Sequence, residues 1–285
     1  MKALLVPACL LALSGEAAAQ LGGTIEKIDR SVTRAAGDAT VIAGAGIGVA
    51  TLPYRDLDDP TRVFPLPVIS FESGRYRLVG KTASARLADY EALSFDAVAD
   101  IRFLNFDEDD SPYLRGMDDR DGTLELGGRL SAELGPVELW VTGLADALSR
   151  HGGYEISAQA QVELSNWRPL SVRPNAGLRY QSSSLTDYYF GVDRDEALAV
   201  NCITGDCGEI FRPAYEVDDA VLPFVGISAR QAFSYKIAAF AQASYEFLPD
   251  TIADSPIVED EGRFTVFGGL VYIFGDAGRR MEQGR

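Results

Sequence analysis

Histidine is almost absent: the 285-residue chain has one, His151. Hydrolases usually draw a general base from imidazole. His151 stands beside Ser149 and near Asp146, but nearness along the chain does not make a triad. No Gly-x-Ser-x-Gly, phosphate loop or metal-ligand spacing occurs. The Gly44-Ala45-Gly46 stretch lacks the helix and acidic ribose partner of a dinucleotide site. Cysteine is scarce too: Cys9, Cys202 and Cys207. No catalytic, cofactor-binding or metal-ligating residue is assigned, and no cofactor is expected. Positive charge is also in short supply, with 26 Lys+Arg against 42 Asp+Glu and a net charge of −16. That excludes a nucleic-acid partner. Finally, beyond the first twenty residues there is no run of 18 apolar residues, so no transmembrane helix is expected.

Lys2, the apolar run Ala3–Leu13 and Ala17-Ala18-Ala19 read as a secretory signal peptide, residues 1–19, rather than a short buried helix. Cys9 comes too early in that run for a lipidation site. Export leaves Cys202 and Cys207, separated by Ile-Thr-Gly-Asp, as a pair expected to close a small disulfide loop. Residues 20–40 read as a periplasmic lead, either one or two helical turns or a linker. Residues 275–285 read as a polar tail.

What the chain has in quantity is alternation. From Thr123 to Leu134 the apolar set Leu124, Leu126, Leu130, Ala132 and Leu134 is interleaved with Glu125, Arg129, Ser131 and Glu133. Tyr154–Leu164 and Leu170–Tyr180 repeat the pattern. Successive side chains of a strand point to opposite faces, so these are two-faced strands. At about 10 residues or more they are long enough to cross a bilayer at a tilt. The fold expected over residues 41–274 is all-β: a transmembrane antiparallel up-and-down β-barrel, set in the outer membrane among its lipid and lipopolysaccharide.

Connection lengths set the strand count. Such barrels alternate short periplasmic turns with long external loops. Residues 52–62, 105–122, 183–218 and 248–262 are long; the turns near 73, 135, 167 and 234 are short. The alternation closes at twelve strands only if residues 75–89 form a short hairpin. Pro65 and Pro67, two apart in Val63–Phe71, predict that this strand is irregular or ends early. The acids gather on the long loops. Asn105–Gly122 carries −5, Ser183–Asp218 −6 and Leu248–Gly262 −5, which leaves the wall nearly neutral. Simple solvation explains such a rim; a divalent cation bridging it to lipopolysaccharide is the sharper alternative.

The polar set expected to face the lumen is Arg102, Glu125, Arg129, Glu133, Glu155, Glu163, Arg173, Arg179, Lys236 and Glu246. Such a lumen fits a small-solute channel. Charges of both signs this dense can equally pair and fill the space. Aromatics near strand ends (Tyr113, Tyr154, Tyr180, Tyr188, Tyr189, Phe190, Trp140 and Trp167) read as interfacial girdles. Tyr188 and Tyr189 could instead stack on a ligand.

Four strings occur in an order worth noting: Phe64-Pro65-Leu66-Pro67, His151-Gly152-Gly153, Tyr189-Phe190-Gly191-Val192, and Ala253-Asp254-Ser255-Pro256-Ile257-Val258. Together they resemble the MipA/OmpV family across about Gly44 to Phe274. The resemblance implies a Gram-negative outer-membrane barrel without enzymatic activity. In one branch it implies a scaffold joining a murein-cleaving lytic transglycosylase to a murein synthase; other branches are major or osmotically responsive outer-membrane proteins. Family barrels usually stop at the terminal aromatic, whereas eleven residues follow Phe274 here.

Overall fold

A computed structural model describes residues 40–104, 106–164, 170–198, 211–234 and 236–274. The expected signal peptide, lead and tail, the Cys202/Cys207 pair and Trp167 lie outside the described residues. Twelve antiparallel strands close into one barrel, each paired with its chain neighbours and β1 with β12. They are β1 (Thr40–Thr51), β2 (Thr61–Ser73), β3 (Tyr76–Val79), β4 (Thr82–Tyr90), β5 (Leu93–Arg102), β6 (Thr123–Leu134), β7 (Val137–Asp146), β8 (Tyr154–Val162), β9 (Leu170–Gln181), β10 (Ala220–Ala232), β11 (Ile237–Phe247) and β12 (Gly262–Phe274). The 75–89 segment is the short hairpin β3–β4 that the parity of the loops requires. Among the described residues no helix is long and apolar enough to cross a membrane.

The alternation sets the faces. Leu126, Leu130, Val141, Ile156, Leu178 and Leu270 are exposed on the outside, as a lipid-facing wall demands. Rings at the strand ends mark the two interfaces. Tyr154 lies 6.0 Å from Tyr180 and Tyr245 lies 4.8 Å from Phe247 at the long-loop end. Tyr272 and Phe274 pair at 4.8 Å at the other. By the general build of such barrels the long-loop end is external.

β2 departs from expectation. It is an unbroken strand of 13 residues and pairs with β1 from Thr61 to Glu72, Pro65 opposite Ile47 and Pro67 opposite Ala45. The reason is direction. Ile69 O accepts from Gly80 N–H at 2.9 Å on the β3 side. A strand residue's N–H and C=O point the same way, so the odd-numbered residues of β2 turn their backbone groups away from β1. The two prolines therefore remove no bond from the β1–β2 ladder.

The lumen is not polar all round. Ile42, Phe64, Leu66, Val68, Phe267 and Val271 pack as an apolar core on the inner face of β1, β2 and β12, joined by Ala238 and Phe240 of β11. β1 admits this core because it is rich in glycine. A Cβ on Gly48 would fall 2.1 Å from the Phe64 ring, and one on Gly46 would fall 2.2 Å from the Gly268 carbonyl oxygen.

Candidate functional site

The other side of the lumen, chiefly β4 to β10, carries the charges, joined near the external end by Glu246 of β11 and Arg263 of β12. Below the external end they form a belt. Arg102 binds Glu125 in a two-point fork, Nε to Oε1 at 2.9 Å and Nη2 to Oε2 at 3.1 Å. The same Nη2 reaches Glu155 Oε2 at 2.9 Å. Arg179 bridges Glu155 at 3.2 Å and Glu246 at 3.0 Å, and Arg263 closes on Glu246. Gln181 adds a bond to Glu155 at 3.0 Å. Three guanidinium groups and three carboxylates thus alternate across strands β5, β6, β8, β9, β11 and β12. Removed from bulk water, such charges are tolerable only when each is paired and hydrogen-bonded, and this arrangement pairs them all.

The remaining expected lumen residues fall elsewhere. Arg129 donates to Thr142 Oγ1 at 3.1 Å. Arg173 lies 3.9 Å from Glu163 toward the turn end, and Glu133 is exposed there. Lys236 is not in the lumen. It lies in the β10–β11 turn with its ammonium 5.6 Å from the Tyr272 ring, which faces outward. The turn lets the side chain leave the strand's alternation. Sequence reasoning left out Lys81, Asp96, Asp100, Glu72 and Arg263. Lys81 Nζ meets Asp100 Oδ2 at 2.5 Å, Arg86 meets Asp96, and Arg77 Nε meets Glu72 Oε2 at 3.0 Å. Asp96 and Asp100 share the inward phase of Arg102, a signal the pattern already carried. Trp140 is no girdle residue: it is buried and faces inward with Arg129, Gln159 and Phe224 around a cavity of about 40 Å³. That is room for a few waters.

Above the belt the loops build a second apolar core. Leu52 and Tyr54, Phe106, Leu114 and Met117, and Val217, Ile252 and Ile257 come from four connections. They enclose α1 (Ser183–Phe190), whose buried residues are Leu185, Thr186, Tyr189 and Phe190. Sequence reading missed this helix and assigned Tyr188, Tyr189 and Phe190 to a girdle. The spacing 185, 186, 189, 190 is helical, but it sits in a segment without strand alternation to frame it. Tyr189 OH donates to Asp121 O at 3.1 Å, and Tyr54 OH to Tyr189 O at 3.3 Å. Arg120 binds Glu196 at 2.8 Å and Tyr188 O at 2.6 Å. Burial pushes the Tyr54 and Tyr189 phenols well above their ordinary pKa.

Two of the four sequence strings meet here: Ser255 Oγ donates to Phe190 O at 2.6 Å. Asp254 N–H and its neighbours finish the helical turn Asp250–Ala253, and Pro256 follows. The His151 string is also structural. Asp146 Oδ2 accepts from His151 N–H at 2.8 Å and Gly152 N–H at 2.9 Å, so the carboxylate holds the loop backbone and not the imidazole. Gly152 has φ +64°, and a Cβ on Gly153 would fall 2.7 Å from Leu185 N. The imidazole Nδ1 accepts from Gly153 N–H at 3.0 Å and Nε2 faces Glu125. No triad forms among the described residues.

A closed twelve-stranded cylinder with an apolar exterior, ringed ends and paired charges inside defines an outer-membrane β-barrel protein. The chain matches the family described as "MltA-interacting protein MipA" over residues 43–274 and belongs to it. It is 27% identical over 233 residues to the MltA-interacting protein of Escherichia coli (strain K12), covering 81% of this chain and 89% of that one. It is 26% identical over 239 residues to the putative outer membrane protein YiaT of the same strain, with the same coverage. With OmpV of Vibrio cholerae it shares 27% identity over 169 residues, 59% of this chain and 61% of that one. Among solved structures, one match is to the toluene transporter TbuX of Ralstonia pickettii, with a TM-score of 0.38, 10% identity, and coverage of 82% of this chain and 88% of that one.

Proposed function

We propose that this outer-membrane barrel is a non-catalytic, non-conducting scaffold that acts through its contacts and not through transport. The observation that carries the reading is the belt of Arg102, Glu125, Glu155, Arg179, Glu246 and Arg263, with the loop core above it and the apolar core beside it. Opening a path would separate buried ion pairs, each costing several kcal/mol to leave unpaired, about 3–5 by analogy with other buried pairs. One relative is named for an interaction with MltA, and the family resemblance implies the partners: a periplasmic murein-cleaving lytic transglycosylase, with a murein synthase as the second arm of the scaffold.

Two measurements test this. Purified protein in a planar bilayer is expected to give no discrete conductance steps. Crosslinking in cells from position 234, in a periplasmic turn, is expected to capture a murein-processing enzyme. Stable ion-conducting steps would replace the scaffold by a porin-like channel for small solutes. Recovery of only lipid and assembly factors would remove the scaffold.

A further inference from the structure

β3 and β4 leave the wall incomplete. β2 is paired with β1 from Thr61 to Glu72 but with β3 only from Ser70 to Ser73, plus the Gly80 N–H to Ile69 O bond. On the far side, β5 pairs with β4 from Leu93 to Asp100 and no further. Above the Gly80-Lys81 turn, no strand among the described residues joins Thr61–Val68 of β2 to Ile101–Arg102 of β5. Side chains bound this seam instead. Lys81 Nζ donates to Asp100 Oδ2 at 2.5 Å and to Ile101 O at 2.6 Å, which satisfies the bare edge of β5 from below. Arg62 binds Asp110 Oδ2 at 2.7 Å above.

The edge of β2 along this seam has an unusual chemistry. Its backbone groups facing the gap belong to the odd-numbered residues, and two of these are Pro65 and Pro67. Between Val63 and Ile69 the edge therefore offers carbonyl oxygens and no N–H. A partner strand needs both, so strand addition is disfavoured. Yet carbonyls facing hydrocarbon need a donor from somewhere. The seam lies at the lipid-facing surface, flanked by exposed Val63, Ile69 and Ile101. Its height follows from the register. Val63 pairs with Val49 and Val49 with Val266, one outward position from Phe264, which pairs with Tyr245 of the upper aromatic ring. Strands of a closed barrel are tilted, so paired residues are not level, and each pairing step from β11 through β12 and β1 to β2 climbs toward the external end. Val63 therefore stands at the external girdle, and Ile69 lies well above its register partner Tyr272 of the lower ring. The seam runs downward through the outer-leaflet half of the hydrocarbon layer. The occupant it fits is an apolar chain that carries its own hydrogen-bond donors near the headgroup. Amide-linked hydroxyacyl chains of lipopolysaccharide have N–H and O–H groups there; phospholipid acyl chains have neither.

We propose that the seam between β2 and β5 is a binding slot for one such acyl chain of lipopolysaccharide. The chain's amide and hydroxyl donate to the Pro65 and Pro67 carbonyls, and its hydrocarbon lies between Ile69 and Ile101 down to the Gly80-Lys81 turn.

The test uses the full chain expressed in native outer membranes, with a diazirine-bearing aliphatic amino acid placed at Ile101 and, in separate proteins, at the outward positions Leu126 and Val225. On irradiation, position 101 is expected to capture lipopolysaccharide about tenfold more than the other two, the enrichment that a good hydrogen bond or two provides. The double substitution Pro65→Val and Pro67→Val, in protein that keeps its folded gel mobility, is expected to bring capture at 101 down to the level at 126. If that double variant does not fold, Lys81→Met, which strips the sill, is read in its place with the same expectation. Equal capture at the three positions overturns the proposal. So does preferential capture of phospholipid, or of a polypeptide, at position 101.

Discussion

His151 Nε2 stands 3.4 Å from Glu125 Oε1, with both side chains buried. The His151 ring also lies 6.2 Å from Tyr188 and 6.1 Å from Tyr189. The only histidine of the chain is therefore the joint between the loop core and the belt. Glu125 keeps its fork to Arg102 whether or not the imidazole is present, whereas Glu155 is held by Arg102 and Arg179 together. Glu155→Ala is expected to destabilise the barrel by about 3–5 kcal/mol, the cost of stranding buried charge. His151→Ala is expected to cost about 1–3 kcal/mol, the range for one lost buried bond. Thermal unfolding in detergent, followed by loss of β-signal, ranks the two; an equal or reversed order would place the weight of the belt elsewhere.

Gly48 and Phe64 form a pair that can be repaired by substitution, while Gly46 cannot. The atom a Gly48 Cβ would strike is a side-chain ring, at 2.1 Å; for Gly46 it is a backbone oxygen, at 2.2 Å. Gly48→Ala is expected to cost about 1–3 kcal/mol as an overpacking change. Adding Phe64→Leu should recover part of that loss. Gly46→Ala should cost at least as much, and Phe64→Leu should not relieve it. A double-mutant cycle on unfolding midpoints checks the coupling.

The Ser255–Phe190 bond ties one external loop to the helix of another. Ser255→Ala leaves the Phe190 carbonyl without that donor and is expected to cost about 1 kcal/mol. Its clearer effect is local: protease nicking in 183–218 should rise while the barrel midpoint moves little. Nicking unchanged from the parent would show that the apolar contacts alone hold the loops together.

Two loop carboxyls give the cap a pH dependence. Partial burial, with Asp110 and Asp119 nearby, raises the pKa of Asp107; partial burial, with Glu196 and Asp187 nearby, raises that of Asp193. A raised folded-state value means that the folded loops bind these protons more tightly than the unfolded chain does. Their contribution to loop stability is therefore fully present below the ordinary carboxylate value, about 3.9. It is lost as pH rises through the raised value. Loop protection from proteolysis by an acid-tolerant protease is expected to be greater at the acid end of that window. The double substitution Asp107→Asn and Asp193→Asn should flatten the difference.

How much of this was legible follows from what each face had to contrast with. β6, β8 and β9 separate apolar from polar residues at every step, so their length, phase and inward charges can be read from the chain. β3–β4 carries little pattern and was recovered from loop parity. β2 shows the limit. Its run Val63–Ile69 is apolar on both faces, outward to lipid and inward to Phe64, Leu66 and Val68, so alternation vanishes and the apolar half of the lumen goes unseen. The prolines were misread for a related reason: a sequence does not say which way a strand's N–H groups point. The loop core is harder still. Tyr54, Phe106, Tyr189 and Ile257 are scattered over about 200 positions, and only the fold brings them together.

Phe190, Ser255, Tyr54 and Arg120 tie together segments that are far apart in the chain. An antibody or phage arriving at the cell surface would meet one composite epitope there in place of separate, exchangeable loops. Shortening any one segment would then alter recognition of its neighbours, and natural variation at this surface would have to come in correlated sets.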